Sequence, residues 1–246
     1  MITIVLPAFN EGSDLGQLLD DFADAFADEP LDYRIIVVDD GSTDDTAAVA
    51  RERAQRIPLE IISHPANRGL AEALRTGLIT AVRRSGARDI IITMDADHTH
   101  PPGLVFRMLR MIREGNDVVV ASRYQPGARV CGLPYWRRFL SYAASWSFRI
   151  LHPIDGIKDY TCGYRAYRAA LLRRAFDEQG PEFIDQSGFS CMVDILLKLN
   201  QYQPVMNEVP LILHYDLRTG TSKMRVWRTI RETVWLMLRR KFTRTR

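Results

Sequence analysis

The chain has 246 residues, 46% hydrophobic and 26% charged, with a net charge of +3. That balance excludes a disordered or fibrous chain and suits one large domain with a single core. No apolar stretch approaches the ~20 residues that a membrane span requires, the longest tail run being 234–238.

In chain order, strand 2–6 is followed by a helix near 12–28, strand 34–38 by a helix near 44–56, and strand 59–63 by a helix near 69–84. Strand 89–94 leads to a helix near 102–114, and strand 117–121 follows. Apolar strand runs alternating with helical patterns predict an α/β domain with a parallel sheet and helices on both faces. After residue 122 the pattern loosens into helical stretches near 134–151, 169–176 and 189–199. Short apolar segments 205–209 and 211–215 are expected to close the sheet edge. The tail from about 223 reads as a helix.

Charge is placed unevenly. Residues 217–246 hold ten Lys/Arg and one acid, Glu232, for a net +9, so residues 1–216 carry −6. A basic tail on an acidic body predicts an anionic surface as partner. Two units follow: a body, 1–216, and a basic amphipathic helix, 217–246. The chain opens on a strand pattern, so no signal peptide is expected. Cys131, Cys162 and Cys191 are odd in number and lack metal-type spacing. They read as reduced thiols of a cytosolic protein.

Three strands run into polar turns. Ile90-Ile91-Ile92-Thr93-Met94 ends in Asp95-Ala96-Asp97, followed by His98-Thr99-His100-Pro101-Pro102. Two carboxylates spaced i, i+2 beyond a strand can reach one cation, and hard oxygen ligands suit Mg²⁺ or Mn²⁺ bridging to phosphates. The strand at 34–38 ends in Asp39-Asp40-Gly41-Ser42-Thr43-Asp44, where Ser42 or Thr43 is expected to cap the next helix. The first strand ends in Pro7-Ala8-Phe9-Asn10-Glu11-Gly12. One acidic turn is usually a loop. Three at the carboxyl edge of one parallel sheet predict a nucleotide site.

These turns, together with Asn67-Arg68-Gly69-Leu70, Ser122-Arg123-Tyr124, Asp159-Tyr160-Thr161-Cys162-Gly163-Tyr164-Arg165-Ala166-Tyr167-Arg168 and Arg218-Thr219-Gly220-Thr221-Ser222-Lys223, carry a resemblance along nearly the whole chain. The sequence resembles glycosyltransferase family 2, with its GT-A fold, and within it the dolichyl- or polyprenyl-phosphate sugar synthases. The resemblance implies an inverting, metal-dependent transfer of a sugar from a nucleotide-sugar donor to a polyprenyl-phosphate acceptor. GDP-mannose is the commonest donor in this group; UDP-glucose and other UDP-sugars stay open.

The resemblance also assigns roles. Pro7, Ala8, Asn10, Glu11, Asp39 and Asp40 hold the nucleoside, and Arg68, Gly69 and Ala96 line the same pocket. For Asn10 and Glu11 helix capping competes, and Gly69 can equally serve a tight turn. Asp95 and Asp97 hold Mg²⁺ or Mn²⁺ on the diphosphate. Thr99 stands at the third-ligand position, where relatives often carry Gln; His98 and His100 are the alternatives there. Arg123, Arg137 and Arg218, assisted by Ser222 and Lys223, bind the lipid phosphate, a task suited to arginine's planar fork. The catalytic set is then Asp95, Asp97, Arg123 and Arg218. Arg165 and Arg168 either meet the phosphate or pair with Asp159 or Asp155. Asp194 lies roughly where relatives using hydroxyl acceptors place a base, although a helix-surface position or structural pairing is its expected fate.

A prenyl-phosphate keeps its chain in a bilayer, so the implied enzyme docks peripherally on the cytoplasmic face of an anionic membrane. Trp227, Ile230, Val234, Trp235 and Leu238 recur at helical spacing among arginines, a pattern suited to the headgroup zone. The aromatic stretch around Tyr135, Trp136, Phe139, Leu140, Tyr142, Trp146 and Phe148 fits core packing or docking equally. A separate membrane protein partner is compatible with this reading. Two competitors are weaker. A processive polysaccharide transferase usually carries a Gln-x-x-Arg-Trp motif, which is absent. A nucleic-acid-binding module finds no motif in the tail, and the acidic body opposes it, so no nucleic acid partner is expected.

Overall fold

A computed structural model describes residues 1–29, 31–132, 135–188 and 190–217, with the side chains of 135–140 and 144 outside the description. The elements run β1 (Ile2–Ala8), α1 (Gly12–Phe26), β2 (Tyr33–Asp39), α2 (Thr46–Arg53), β3 (Leu59–Ser63), α3 (Leu70–Arg84), β4 (Ile90–Thr93), α4 (Leu104–Arg113) and β5 (Val118–Ser122). Then come β6 (Arg129–Cys131), α5 (Tyr135–Leu151), β7 (Arg165–Arg168), α6 (Ala169–Gln179), α7 (Ser190–Leu199), β8 (Met206–Pro210) and β9 (Ile212–His214). The tail helix expected from about 223 lies outside the described residues.

Seven strands form one sheet in the order β3-β2-β1-β4-β7-β5-β8. The first five expected strands are present. Their apolar runs are continuous because helices cover the sheet, and Ile4, Leu6, Ile36, Val38, Ile91, Val119 and Val120 are fully buried. β1 pairs parallel with both β2 and β4. The chain therefore steps outward from β1 to β3, returns through α3, and continues on the other side of β1. Such a reversal opens a crevice at the carboxyl ends of the two strands that flank it.

The second half departs from expectation. β7 enters the sheet antiparallel between β4 and β5. Its sequence, Arg165-Ala166-Tyr167-Arg168, is too charged to read as a central strand, yet Arg165 is fully buried. Its guanidinium donates to the carbonyls of Cys162 (2.7 Å), Met192 (2.6 Å) and Tyr160 (2.8 Å). Arg168 reaches Asp117 at 3.0 Å and the carbonyls of Ile112 and Asn116. A buried charge persists only when hydrogen bonds replace its water. Neither arginine pairs with Asp155 or Asp159 as considered above. The two late apolar segments also separate: β8 closes the sheet edge parallel to β5, while β9 leaves it to pair with β6 in a two-stranded sheet.

α3 lies close on β1 and β2 because Gly77 faces them. A Cβ at Gly77 would run into Val5 Cγ1 and come within 3.1 Å of Val38 Cγ2. Gly77→Ala is expected to cost ~1–3 kcal/mol through overpacking, offset in part by the ~1 kcal/mol that Ala gains in helix propensity. Chemical denaturation of the variant measures the net loss; a gain in stability of ~1 kcal/mol would mean the helix shifts at no cost.

Candidate active site

Three turns meet at the crevice. Ala8 pairs with Asp39 across β1 and β2, and Val5 pairs with Thr93 across β1 and β4. The segments after Ala8, Asp39 and Thr93 thus leave the sheet at one edge, which brings Pro7, Ala8, Asn10, Glu11, Asp39, Asp40, Asp95, Ala96 and Asp97 together.

Hydrogen bonds lace the first two turns. Asn10 adopts φ +53; its Oδ1 accepts from Thr43 N at 2.8 Å, and its own N–H donates to Ser42 Oγ at 2.9 Å. Asn10 therefore holds the neighbouring turn rather than capping α1. Glu11 N donates to Thr46 Oγ1 at 2.9 Å. Asp44 serves both helices, accepting from Gly12 N at 3.1 Å and from Thr46 N at 3.0 Å. Neither Ser42 nor Thr43 caps α2, which begins two residues later than the pattern suggests and has Asp45 as its N-cap residue. Asp39 accepts from Ser42 N at 3.0 Å.

Asp40 is buried and turned toward the third loop. It accepts from Arg68 N (3.0 Å) and Gly69 N (2.7 Å), and meets His64 Nδ1 at 2.7 Å. His64 Nε2 lies 3.0 Å from Thr76 Oγ1 on α3. Asp40 is thus a clamp for the 67–69 turn, and His64 is a residue that sequence reasoning missed. Gly69, at φ +91, supplies the left-handed turn entering α3. Gly41, at φ +69, is needed for proximity as well: a Cβ there would strike the backbone of Ala66. The Arg68 side chain is exposed, 3.5 Å from Glu72.

At the end of β4, Asp97 is buried and Asp95 half-buried. Thr99 donates its hydroxyl to Asp97 Oδ1 at 2.6 Å, so its oxygen stays beside that carboxylate. Gly163 keeps space beside Asp95; a Cβ would come within 3.1 Å of Asp95 Oδ1. Two carboxylates and a hydroxyl form a hard oxygen donor set that fits Mg²⁺ or Mn²⁺. The histidines fit less well. His98 (φ +56) is bonded to Asp21 on α1 at 2.7 Å. His100 is buried edge-on against Tyr164. Burial lowers its pKa to about 4, more than the nearby Asp97 draws it back, so it is neutral.

Arg123, expected from the sequence to meet the acceptor, forms a buried ion pair with Asp159. Arg123 donates through Nε (2.8 Å) and Nη2 (2.7 Å) to Asp159, and through Nη2 to Thr161 Oγ1 at 2.5 Å. Burial opposes the charge on Asp159, but Arg123 overcomes it and holds the carboxyl below its ordinary value. Glu208 on β8, also missed in the sequence, fixes this loop: its Oε1 accepts from Lys158 N and Asp159 N, both at 2.6 Å. Asp194 on α7 is buried in an ion pair with Lys198 at 2.8 Å, the structural pairing expected. Of the remaining candidates, the Arg137 side chain, Arg218, Ser222 and Lys223 lie outside the described residues.

Residues 3–180 match the model of Glycosyl transferase family 2. The chain belongs to this family. It is 31% identical to the dolichol-phosphate mannosyltransferase of Pyrococcus furiosus over 91% of this chain, and spans 59% of that relative's length. It is 31% identical to the polyprenol monophosphomannose synthase of Mycolicibacterium smegmatis, over 90% of this chain and 80% of that one. With the undecaprenyl-phosphate mannosyltransferase of Micrococcus luteus it shares 32% identity, over 91% and 87%. Among solved structures, glucosyl-3-phosphoglycerate synthase from Mycobacterium tuberculosis, in complex with Mn²⁺, UDP and phosphoglyceric acid, has a TM-score of 0.69. Its identity is 22%, over 98% of this chain and 78% of that one, a likeness of GT-A fold.

Replacing Asp159 with Ala would leave Arg123 as an uncompensated buried charge. A loss of ~3–5 kcal/mol is expected in urea unfolding. Because the folded pKa of Asp159 lies below the ordinary 3.8, the pair's contribution is complete above that value. It disappears as pH falls through the folded value.

Proposed function

We propose that this family 2 glycosyltransferase moves mannose from GDP-mannose to the phosphate of a polyprenyl lipid, with inversion at the anomeric carbon. The observation that carries the reading is the convergence of the Asp39–Asp40 and Asp95–Asp97 turns at the β1/β4 crevice. The mannosyltransferase names of relatives 31–32% identical over about nine-tenths of this chain support it. Asp39 and the 8–11 turn face the nucleoside, while Asp40 holds the 67–69 turn in place. Asp95 and Asp97 hold Mg²⁺ or Mn²⁺, which neutralises charge on the departing diphosphate when bound.

The acceptor chemistry agrees with the state of Asp194. A hydroxyl acceptor needs a base to take its proton. A phosphate monoester, with a second pKa near 6, arrives as an anion and needs none. The carboxylate at the expected base position is instead paired with Lys198. The remaining task is placement of the phosphate, which the reading gives to Arg123, Arg137, Arg218, Ser222 and Lys223.

Docking is assigned to the membrane surface. No helix among the described residues is long and apolar enough to cross a membrane. α5 divides into two faces. Phe148 is buried and stacks on Tyr160 at 5.2 Å. Tyr142, Trp146 and Ile150, spaced four apart, are 51%, 45% and 70% exposed. Arg149 lies over the Trp146 ring at 4.8 Å. An exposed aromatic stripe with an arginine suits the headgroup boundary, and the basic tail adds attraction to anionic lipid.

The direct test is transfer of labelled mannose from GDP-mannose to a polyprenyl phosphate. Asp97→Asn and EDTA should each abolish it. Arg218→Ala should raise the KM for the lipid roughly ten- to hundredfold, the worth of one charge-assisted phosphate contact, and leave the donor KM nearly unchanged. Transfer that persists in EDTA defeats the metal role, and a raised donor KM moves Arg218 to the nucleotide side.

Co-sedimentation with anionic vesicles is the second test. Binding should be strong at low salt, weaker at high salt, and reduced when Tyr142 and Trp146 are both replaced by Ser. Wild-type protein that stays in the supernatant at low salt would refute docking.

A further inference from the structure

Cys131, His214 and Asp216 come together where β6 meets β9. One donor atom from each lies within 4.8 Å of the others, and His214 Nδ1 is already 3.5 Å from Asp216 Oδ1. Tetrahedral zinc, with Zn–S near 2.3 Å and Zn–N near 2.0 Å, spaces its donors roughly 3.5 Å apart. The present donor separations of at most 4.8 Å lie close to that spacing. The backbone is built for this approach: Tyr215 N donates to Cys131 O at 3.1 Å. Gly132, at φ +75, lets the turn pass so close that a Cβ would come within 2.8 Å of Asp216 N.

The geometry points to a transition-metal site at Cys131, His214 and Asp216, of zinc-binding character and separate from the Asp95–Asp97 cation position. The two donor sets select different metals. Asp95 and Asp97 offer hard oxygens, whereas a thiolate, an imidazole and a carboxylate favour Zn²⁺ over Mg²⁺. Cys131 and His214 are half-buried and Asp216 is exposed, so a fourth position stays open to water. The other two cysteines do not compete. Cys162 and Cys191 are buried, which pushes both thiols up to about 12.

The placement gives the site a consequence. His214 N donates to Thr99 O at 2.9 Å, and Thr99 holds Asp97. Two residues beyond Asp216, the sequence reaches Arg218. A bound ion would pin β9 to β6 at the root of the segment assigned above to the lipid phosphate. The inference does not depend on which sugar or acceptor is used.

Cobalt titration of the metal-stripped full-length protein tests it. The wild type should bind Co²⁺ with a thiolate-to-cobalt charge-transfer band, and Zn²⁺ should displace the cobalt. Cys131→Ser should lose the band. Asp97→Asn should keep it. In competition with a chelating dye, Cys131→Ser and His214→Gln should each weaken Zn²⁺ binding by at least ~10–100-fold, since even outer-shell changes reach that range. Metal-free melting curves matching the wild type establish that these variants fold. No charge-transfer band in the wild type, a band surviving in Cys131→Ser, or one lost in Asp97→Asn would each overturn the proposal.

Discussion

The site depends on one topological constraint: β1 has neighbours on both sides that run parallel to it. The chain must leave β1 in one direction and later return in the other. At that reversal no helix connects β1 directly to β4, so a gap remains at their carboxyl ends. The Asn10–Glu11, Asp39–Asp40 and Asp95–Asp97 turns are arranged around that gap. The strands β1, β2 and β4 below it are largely apolar, so the turns bear the chemistry while these strands bear the stability.

Turns at a crevice tend to be mobile, and a binding surface benefits from being formed before its ligand arrives. Here side chains perform that ordering. Asn10, Asp44 and Asp40 each accept backbone N–H groups from another turn. A hydrogen bond to a charged acceptor contributes about 1.5–3 kcal/mol. The acidic residues of this edge thus divide into two kinds. Asp40 and Asp44 serve as scaffold, and only a part of the acidic motif is left to meet a ligand. On the far side, Glu208 and Asp159 do for Arg123 what Asp40 does for the 67–69 turn.

The same distinction explains what the sequence could reveal. Strands β1 to β5 were legible because a sheet covered by helices demands continuous apolar runs. The three turns were legible because their carboxylates follow those runs. β7 was not, since the compensation that buries Arg165 comes from carbonyls of Tyr160, Cys162 and Met192, and carbonyls have no sequence signature. The pattern places β9 at the sheet edge because it marks a segment as a strand without specifying which partner it takes. The roles of His64 and Glu208 rest on contacts spanning 24 and 49 residues. A polar residue within an apolar run, as Glu208 is on β8, was the available clue.

The Arg123–Asp159 pair carries the most specific compromise in the fold. A buried ion pair rarely adds net stability over a well-packed apolar pair, because desolvation offsets its attraction. Its retention here has a geometric reading. Asp159 holds Arg123 by Nε and Nη2, which fixes the plane of the guanidinium and leaves rotation of the group suppressed. A solvated arginine would have to lose that freedom when an anion arrives, and long side chains lose up to ~2 kcal/mol on ordering. Glu208 extends the logic one layer deeper, because burial raises its own pKa despite the two N–H groups it accepts. Three charged groups are thus removed from water so that one cation stands in a fixed orientation beside the crevice. That arrangement favours positioning over proton transfer, and positioning is what the proposed acceptor, an already ionised phosphate, would ask of an enzyme.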